Sequence, residues 1–240
     1  MQLAPWPCVS QTLIRTLPSE LDFRVAQNVL PWEEIALDRL RRGDLPRLSS
    51  LTAVLLARND AHTVGSVIDY AARLLPEVAD DFELIVVDDG SADATGEVLS
   101  QRQKLCPFLR TITHASSRGY GAALRSGFSA ATGSHVFYTT GDGQRDPTEL
   151  ATLIPALGEG ARASGAAGFR LIRRDALSRL TLTADSSLVE EELLRQMKRL
   201  RLPLAEASVA LHPRASGTLA SFPPPGMRER LALWQGRLFR

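Results

Sequence analysis

The sequence predicts an α/β protein with a doubly wound, mostly parallel β-sheet and helices on both faces. Short apolar runs, typical of parallel strands that are buried on both faces, occur at 51–57, 84–87 and 136–138, and 108–113 is a further predicted strand. Stretches of helical periodicity separate these runs; in 64–75, for example, apolar residues recur every three or four positions. Strands that alternate with helices at this spacing are the pattern of a parallel sheet with crossover helices.

Length and composition restrict the class of protein. With 240 residues, 44% of them hydrophobic and 23% charged, the chain fits one large soluble domain with appendages. The net charge of +1 creates no overall field that favours nucleic acid, so we expect no such partner. Cys8 and Cys106 form neither a disulfide framework nor a zinc pattern. We therefore expect a reducing, cytoplasmic compartment.

No segment of the sequence predicts membrane insertion. The first residues lack the basic and apolar regions of a secretory signal. No apolar run approaches the roughly 20 residues that a spanning helix needs. Contact with a membrane surface remains compatible with both observations.

We divide the chain into an appendage, a main domain and a C-terminal helix. The appendage, 1–50, contains a short helix that begins near Pro31 and ends in a linker at 45–50. The main domain covers 51–222, with a first half at 51–150 and a second half at 151–222.

The C-terminal segment, 223–240, predicts an amphipathic helix after three prolines. Its apolar residues lie on one face and its arginines largely on the other. The apolar face consists of Met227, Leu231, Trp234 and Leu238. A helix of this kind can lie on a membrane surface through 226–240. It can equally dock onto the domain or onto a second subunit, which would make the protein a homo-oligomer.

Polar residues follow the first two predicted strands. The first strand runs into Asn59 and Asp60, and the second runs into Asp88, Asp89 and a glycine turn. In open α/β sheets, ligands bind beyond the carboxyl ends of the strands. Two adjacent aspartates there suit either the ribose and base of a nucleotide or a divalent cation. A capped turn with solvated acids is the simpler alternative.

The fourth predicted strand ends in a second acidic segment. Asp146, followed by Pro147 and then Glu149, predicts the start of a helix. Asp142 precedes this cap and lies between two glycines. Because Asp142 follows a strand of the same sheet as Asp88, we interpret it as a ligand-binding residue and not only as a turn residue.

Four ordered motifs resemble those of family 2 glycosyltransferases. They read ARND at 57–60, VVDDGSADAT at 86–95, RGYGAAL at 118–124 and GDGQRDP at 141–147. The closest resemblance is to dolichyl-phosphate mannose synthases and bacterial polyprenyl-phosphate sugar transferases. It covers 51–150 well and resumes more weakly near 168–174, 192–194 and 206–217.

The resemblance implies an A-type glycosyltransferase fold and a nucleoside diphosphate sugar as donor. It also implies a bound Mg or Mn ion and inverting transfer of the sugar to a polyprenyl phosphate or another acceptor. The first half of the main domain would hold the nucleotide-sugar and the second half the acceptor. A lipid acceptor would place the protein at the inner face of a membrane, as a peripheral protein. An ionised lipid phosphate would require no general base.

Residue by residue, the resemblance assigns the nucleoside pocket to the first two strand ends. Ala57, Asn59 and Asp60 would line the base pocket. Asp88 and Asp89 would bind the nucleoside, with Asp89 as the principal contact.

The resemblance assigns the phosphates and the metal to the later motifs. Arg118 and Gly119 would contact the donor, and Asp142 and Gln144 would face the metal and the diphosphate. Arg214 would approach the phosphates. Arginine and a divalent cation both stabilise the charge that develops on a diphosphate leaving group.

A hydroxyl acceptor would require a base. Glu192, which matches a glutamate of the family, or its neighbour Glu191 is then the candidate. The remaining acids of the run at 190–192 predict a solvated helix surface, with Glu191 paired to Arg195 four residues on.

Two departures from the family pattern support an alternative function. Thr140 stands where a second carboxylate is usual, and the region between Leu150 and Gly168 is shortened, so the acceptor half is reduced. Both favour a catalytically silent relative that binds nucleotide or acts as a scaffold. A nucleotidyltransferase or dinucleotide-binding domain is a weaker third hypothesis, because no G-x-G-x-x-G follows a strand.

Overall fold

The computed structural model describes residues 46–157, 163–205, 208–213, 222, 225–227 and 229. The appendage helix predicted near Pro31 and most of the predicted C-terminal helix lie outside these residues. Within the described part of the chain, no helix is long and apolar enough to cross a membrane.

The described strands form one seven-stranded sheet in the order β3-β2-β1-β4-β6-β5-β7. They are β1 (Leu48–Ala57), β2 (Ala79–Asp88), β3 (Leu109–Thr113), β4 (His135–Thr140), β5 (Ala163–Ala166), β6 (Phe169–Arg173) and β7 (Leu204–Ala205). The pairs β1–β2, β1–β4 and β2–β3 are parallel, whereas β6 is antiparallel to both β4 and β5. The predicted mostly parallel sheet is confirmed.

Helices cover both faces of this sheet. They are α1 (Val64–Val78), α2 (Thr95–Leu105), α3 (Tyr120–Ala130), α4 (Leu150–Ala156), α5 (Arg174–Leu177) and α6 (Leu188–Arg199). A 3₁₀ helix, Pro147–Glu149, precedes α4. Asp146 caps it by accepting a hydrogen bond from the Thr148 N–H at 2.8 Å, as the sequence predicts.

Alternate residues of β1 enter two separate cores. Ala53 and Leu55 belong to the core that contains α1, and Val54 and Leu56 belong to the core that contains α3 and α6. All four are at most 1% exposed. A strand buried on both faces must be apolar at every position, which explains the unbroken run in the sequence.

The topology brings three strand ends together. The chain passes from β1 to β2 and β3 on one side, and then returns to place β4 on the other side of β1. The Asp89 N–H donates to the Ala57 carbonyl at 2.9 Å, and the Gly141 N–H donates to the Leu56 carbonyl at 2.8 Å. The reversal of strand order beside β1 is where open α/β sheets bind ligands.

The boundary predicted at residue 51 lies too far along the chain. β1 begins at Leu48, inside the predicted linker, and Leu48 is buried and paired with Ala79. Ser50 also belongs to the strand, and its Oγ accepts a hydrogen bond from the Ser134 N–H at 2.8 Å. Composition alone suggests a linker here. The contacts that place these serines in a strand are made with residues far away in sequence, so they are not visible in the local pattern.

The second half of the domain adds an antiparallel hairpin, β5–β6, to the sheet. β6 pairs with β4, so that Phe169 lies opposite Thr139 at the carboxyl end of β4. The hairpin was not predicted, because a run of alanines and glycines shows neither a continuous stretch of large apolar residues nor an alternation of apolar and polar residues. The hairpin turn therefore lies beside the strand end that carries Asp142.

Thr139→Val is expected to stabilise the protein by about 1 kcal/mol, because it removes a buried hydroxyl without changing the volume of the side chain. Thr139 is 0% exposed, and its Oγ1 has no hydrogen-bond partner in the described structure. Urea unfolding monitored by circular dichroism measures the change.

Thr52→Val provides a matched control for this substitution. Thr52 is also fully buried, but its Oγ1 donates to Glu83 at 2.8 Å and accepts from the Gly133 N–H at 2.9 Å. We expect this second substitution to destabilise the protein. A loss of stability from both substitutions would contradict the absence of a partner for Thr139.

Candidate functional site

Asp89, at the end of β2, holds the loop before α3. Its Oδ1 lies 2.6 Å from His114 Nδ1 and accepts the Arg118 N–H at 2.8 Å. Its Oδ2 accepts the Ser117 hydroxyl at 2.7 Å and the Gly119 N–H at 2.9 Å. Burial alone would raise the pKa of Asp89, but these hydrogen bonds outweigh it and lower the pKa below its usual value. The residue is therefore a carboxylate at neutral pH.

The structure gives Asp89 a different role from the predicted nucleoside contact. Its side chain is 0% exposed and both oxygens are occupied by the protein, so it organises the 114–119 loop instead. His114 is buried and also lies 2.9 Å from Ser126 Oγ through Nε2. Spacing alone could not reveal this pairing, because the partners lie 25 and 12 residues from His114.

The turns after β1 and β2 are joined by hydrogen bonds. The Asn59 N–H donates to Ser91 Oγ at 3.0 Å, and Asn59 Oδ1 accepts from the Ala92 N–H at 2.8 Å. The Asp60 N–H donates to Thr95 Oγ1 at 2.9 Å. Asn59 adopts a left-handed backbone with φ of 54°, a conformation that asparagine tolerates better than most residues. The joined turns form one edge of the candidate site.

Two further carboxylates lie beside these turns. Asp60 is 6% exposed and its Oδ2 accepts the Arg58 N–H at 2.9 Å, whereas Asp88 Oδ1 accepts the Ser91 N–H at 3.0 Å. Ala57, which pairs with Asp88 across the sheet, is fully buried in the core. Its side chain therefore does not line a base pocket in this structure, and its contribution is limited to the backbone.

Asp142 lies at the end of β4, in the turn that follows it. Its Oδ1 accepts hydrogen bonds from Thr140 Oγ1 at 2.7 Å and from the Gln144 N–H at 3.1 Å. Asp142 is 5% exposed and the Gln144 side chain is half-buried. Thr140, which replaces the carboxylate expected from the resemblance, thus holds the remaining carboxylate in place.

A segment from the second half of the domain crosses this turn. The His212 N–H donates to the Gln144 carbonyl at 2.8 Å, and the Ala210 N–H donates to Glu149 Oε2 at 2.8 Å. Arg214, predicted to approach the phosphates, lies outside the described residues. The segment at 208–213 therefore connects the second half of the domain to the Asp142 turn.

The carboxylates of the candidate site fit a metal ion whose remaining ligands come from a nucleotide and water. In the described ranges of the chain, no group of three or more His, Cys, Asp or Glu side chains could bind an ion. Mg²⁺ and chemically similar ions commonly bind through one or two carboxylates, with phosphate and water oxygens as the remaining ligands. Asp142 can serve as such a single carboxylate, whereas the residues that the structure describes do not fit a metal site without nucleotide.

Arg118 and Gly119 lie next to the Asp89 loop, at the start of α3. The Arg118 side chain is exposed, while its backbone is bonded to Asp89. Gly119 has a φ of 99°, which side-chain-bearing residues rarely adopt. The Arg118 side chain is therefore exposed beside the loop that Asp89 holds, and its contact with a donor stays a prediction.

Glu192 is not placed to act as a base. It is 2% exposed, and its Oε2 accepts the Thr183 N–H at 2.8 Å and the Ala184 N–H at 3.0 Å. Its Oε1 accepts the Thr183 hydroxyl at 2.7 Å. A general base needs a free oxygen within reach of the substrate. Glu192 instead holds a turn, and the prediction of a catalytic role is corrected.

A buried polar network centred on Glu190 was not predicted from the sequence. The Glu190 carboxylate accepts hydrogen bonds from Tyr120 at 2.8 Å, from Tyr138 at 2.9 Å and from Arg170 Nε at 3.2 Å. Burial raises the pKa of both tyrosines well above the usual value, and the Glu190 charge adds to this shift. The sequence feature that could have indicated this network is the position of Glu190, three residues before Leu193 on the buried face of α6.

Glu191, in contrast, follows the prediction for the acidic run. It is exposed and forms an ion pair with Arg195 at 2.5 Å. The three consecutive glutamates thus have three different environments, and only Glu191 is solvated helix surface.

The sheet order and the aspartates at its switch point define an A-type glycosyltransferase fold. The model of the glycosyl transferase family 2 matches residues 52–214. The chain belongs to this family, as the four motifs indicate.

Several relatives are similar to part of the chain. An uncharacterised glycosyltransferase of Nostoc sp. is 32% identical over 81 residues, 34% of this chain and 25% of the relative. Dodecaprenyl-phosphate galacturonate synthase of Rhizobium johnstonii is 30% identical, and the match covers 53% of this chain and 38% of the synthase. Undecaprenyl-phosphate 4-deoxy-4-formamido-L-arabinose transferase of Photorhabdus laumondii is 26% identical, and the match covers 56% of this chain and 41% of the transferase. The chain thus spans between a quarter and about two fifths of these relatives.

A solved structure supports the fold over most of the chain. Glucosyl-3-phosphoglycerate synthase from Mycobacterium tuberculosis, in complex with Mn²⁺ and uridine-diphosphate-glucose, aligns with a TM-score of 0.63. The alignment covers 86% of this chain and 83% of that chain, at 22% identity. Similarity at this identity establishes the fold alone.

Proposed function

We propose that this chain binds a nucleoside diphosphate sugar at the carboxyl ends of β1, β2 and β4. It then transfers the sugar, with inversion, to a polyprenyl phosphate or another acceptor. The observation that carries the proposal is the convergence of Asp60, Asp88 and Asp142 at the switch point of the sheet. Membership of glycosyl transferase family 2 supports it.

Each part of the site has a separate task in this proposal. The joined turns with Asn59 and Asp60 form the nucleoside side, and Arg118 approaches the diphosphate. Asp89 acts indirectly, because it holds the loop that carries Arg118. Asp142 and Gln144 face the metal and the diphosphate, and Arg214 is proposed from the sequence match to approach the phosphates. A divalent cation bound there would stabilise the charge on the leaving diphosphate.

The environments of the three glutamates favour a phosphate acceptor. Glu190 and Glu192 have their carboxylates engaged by hydrogen bonds from other parts of the protein, and Glu191 is paired with Arg195. An ionised phosphate oxygen attacks without a general base, so none of these residues is required. Relatives named as undecaprenyl- and dodecaprenyl-phosphate sugar enzymes support the same acceptor class. The helix predicted at 226–240 would then meet the membrane that carries such a lipid.

A catalytically silent nucleotide-binding relative is the second candidate. The hydrogen bond from Thr140 to Asp142 favours it, because a hydroxyl replaces one negative charge near the metal. The two candidates differ only in transfer, since both bind a nucleotide with its ion.

Calorimetric titration and a transfer assay together test the proposal. Uridine and guanosine diphosphates are titrated with and without Mn²⁺, and the donor that binds is then incubated with undecaprenyl phosphate and labelled sugar. Metal-enhanced binding of one nucleotide, followed by labelled lipid, is the expected result. Binding without transfer to any acceptor would favour the silent relative, and no binding would reject both.

Asp142→Asn is expected to abolish the enhancement of nucleotide affinity by Mn²⁺, a loss of about tenfold or 1.4 kcal/mol. The asparagine oxygen can still accept from Thr140 and Gln144, so the turn should persist while the charge is removed. Titration with and without Mn²⁺ measures the loss.

Asp175→Asn removes the same charge from an exposed side chain paired with Arg173 and serves as the control. An undiminished Mn²⁺ response in the Asp142 variant would remove Asp142 from the metal site.

Thr140→Asp is expected to tighten Mn²⁺ binding in the absence of nucleotide by roughly tenfold, because a second carboxylate joins Asp142. Electron paramagnetic resonance of free Mn²⁺ measures the affinity. Thr140→Asn, with similar volume and no charge, is the control. Equal affinities in the two variants would show that residue 140 does not face the ion.

A further inference from the structure

The turn at 183–186 is held by two glutamates from different parts of the chain. Glu192 accepts the N–H groups of Thr183 and Ala184. Glu229 accepts the next two, from Asp185 at 2.7 Å and from Ser186 at 3.1 Å. Four successive backbone N–H groups thus point at two carboxylates, and hydrogen bonds to charged groups are among the stronger ones in proteins.

These contacts lie just before the start of α6. The side chain of Ser187, its N-cap residue, makes no capping hydrogen bond. The only cap from within the segment is the Ser186 hydroxyl, which accepts the Leu188 N–H at 3.2 Å. Without Glu229 the turn would lose two of its four hydrogen bonds to glutamate, one at the exposed Asp185 N–H and one at the part-buried Ser186 N–H.

The same turn is in direct backbone contact with the loop of the nucleotide site. The Gly121 N–H donates to the Asp185 carbonyl at 2.7 Å. A Cβ on Gly119 would lie 2.4 Å from the Asp185 carbonyl oxygen, which shows that the two backbones touch. Gly119 in turn donates to Asp89. A shift of the turn therefore moves the segment that holds Arg118 and Asp89.

Glu229 lies beyond the residues that match the family, which end at 214. A second contact attaches the same C-terminal part of the chain, because the ring of Phe222 packs edge-on against Tyr120 with centroids 5.3 Å apart. Both contacts reach the starts of α3 and α6, next to the nucleotide site.

We propose that Glu229 is a positioning residue for the nucleotide site, acting through the 183–186 turn on the loop at 118–121. The proposal rests on the proposed nucleotide-binding function. It makes the chain beyond the family domain part of the donor site, although Glu229 itself touches no substrate.

The test uses the full chain and three variants. Glu229→Ala removes both hydrogen bonds, whereas Glu229→Gln keeps an oxygen that can accept them. Glu191→Ala removes an equal charge from the exposed surface of α6 and is the matched control. Calorimetric titration with uridine and guanosine diphosphates and Mn²⁺ gives the affinity, and thermal melts confirm folding.

We expect Glu229→Ala to weaken nucleotide binding about tenfold, as the loss of hydrogen bonds to a charged group predicts. Glu229→Gln should restore the affinity, and Glu191→Ala should leave it unchanged. A wild-type affinity in Glu229→Ala would overturn the proposal, as would equal losses in the alanine and glutamine variants.

Hydrogen exchange separates this proposal from the proposed function. The amides of Asp185, Ser186 and Gly121 should exchange faster in Glu229→Ala than in the wild type, whether or not a nucleotide binds. Absence of nucleotide binding by the wild type would reject the proposed function. Unchanged exchange at these amides would reject the positioning role of Glu229.

Discussion

Gly121→Ala is expected to abolish nucleotide binding and to lower stability by at least about 2 kcal/mol, in the range of buried steric changes. A Cβ at this position would lie 2.0 Å from the Ala184 carbonyl oxygen and 3.0 Å from that of Ser186. Alanine would favour the helix by about 1 kcal/mol, so propensity alone predicts the opposite sign. The clash decides the sign of the stability change, because the atoms that the Cβ would meet belong to a backbone turn that two glutamates hold. Urea unfolding and nucleotide titration measure the two effects.

Gly96→Ala is the matched control for Gly121→Ala. Gly96 lies in α2, and the nearest atom to its Cβ would be Asp88 Oδ2 at 4.0 Å. Here the helix propensity should dominate and stability should rise by roughly 0.5–1 kcal/mol. If Gly121→Ala proved as stable as Gly96→Ala, the 183–186 turn would be free to move and its role in the site would be lost.

Glu190→Ala should cost about 3–5 kcal/mol of stability, the usual loss when one member of a buried ion pair is removed. Arg170 is 6% exposed and would keep its charge without the carboxylate. The hydroxyls of Tyr120 and Tyr138 would lose their acceptor at the same time. Urea unfolding measures the change in the free energy of unfolding.

Glu191→Ala is the natural comparison, because it deletes the adjacent glutamate of the same helix. Its exposed pair with Arg195 should contribute less than about 1 kcal/mol. Glu190→Gln keeps an acceptor for the tyrosines and should fall between the two. Similar stabilities for the Glu190→Ala and Glu191→Ala variants would contradict the burial of the network.

Features that depend on local pattern were predictable from the sequence. Apolar runs identified β1, β2 and β4, because a strand covered on both faces needs mostly apolar side chains. The cap at Asp146 followed from its spacing to Pro147 and Glu149. The proximity of Asp142 to Asp88 followed from topology, since parallel strands end at one edge of the sheet.

Features that depend on distant partners were not predictable. Asp89 looked like a ligand-binding residue, but its four hydrogen bonds come from 25 to 30 residues further along the chain. Glu190 was predicted to be solvated, because a run of acids on a helix usually faces water, and Glu192 was predicted to be a candidate base. Their partners lie on other strands and turns, and only the assembled fold brings them together.

The hydrogen bonds between the turns after β1 and β2 bear on the thermodynamics of ligand binding. Side chains of Asn59, Ser91 and Thr95 already fix the two turns to each other without a ligand. A nucleotide that binds against them has little backbone left to order, so the entropic penalty of association is confined to the ligand and a few side chains. On this edge the protein resembles a rigid receptor and not a loop that folds around its ligand.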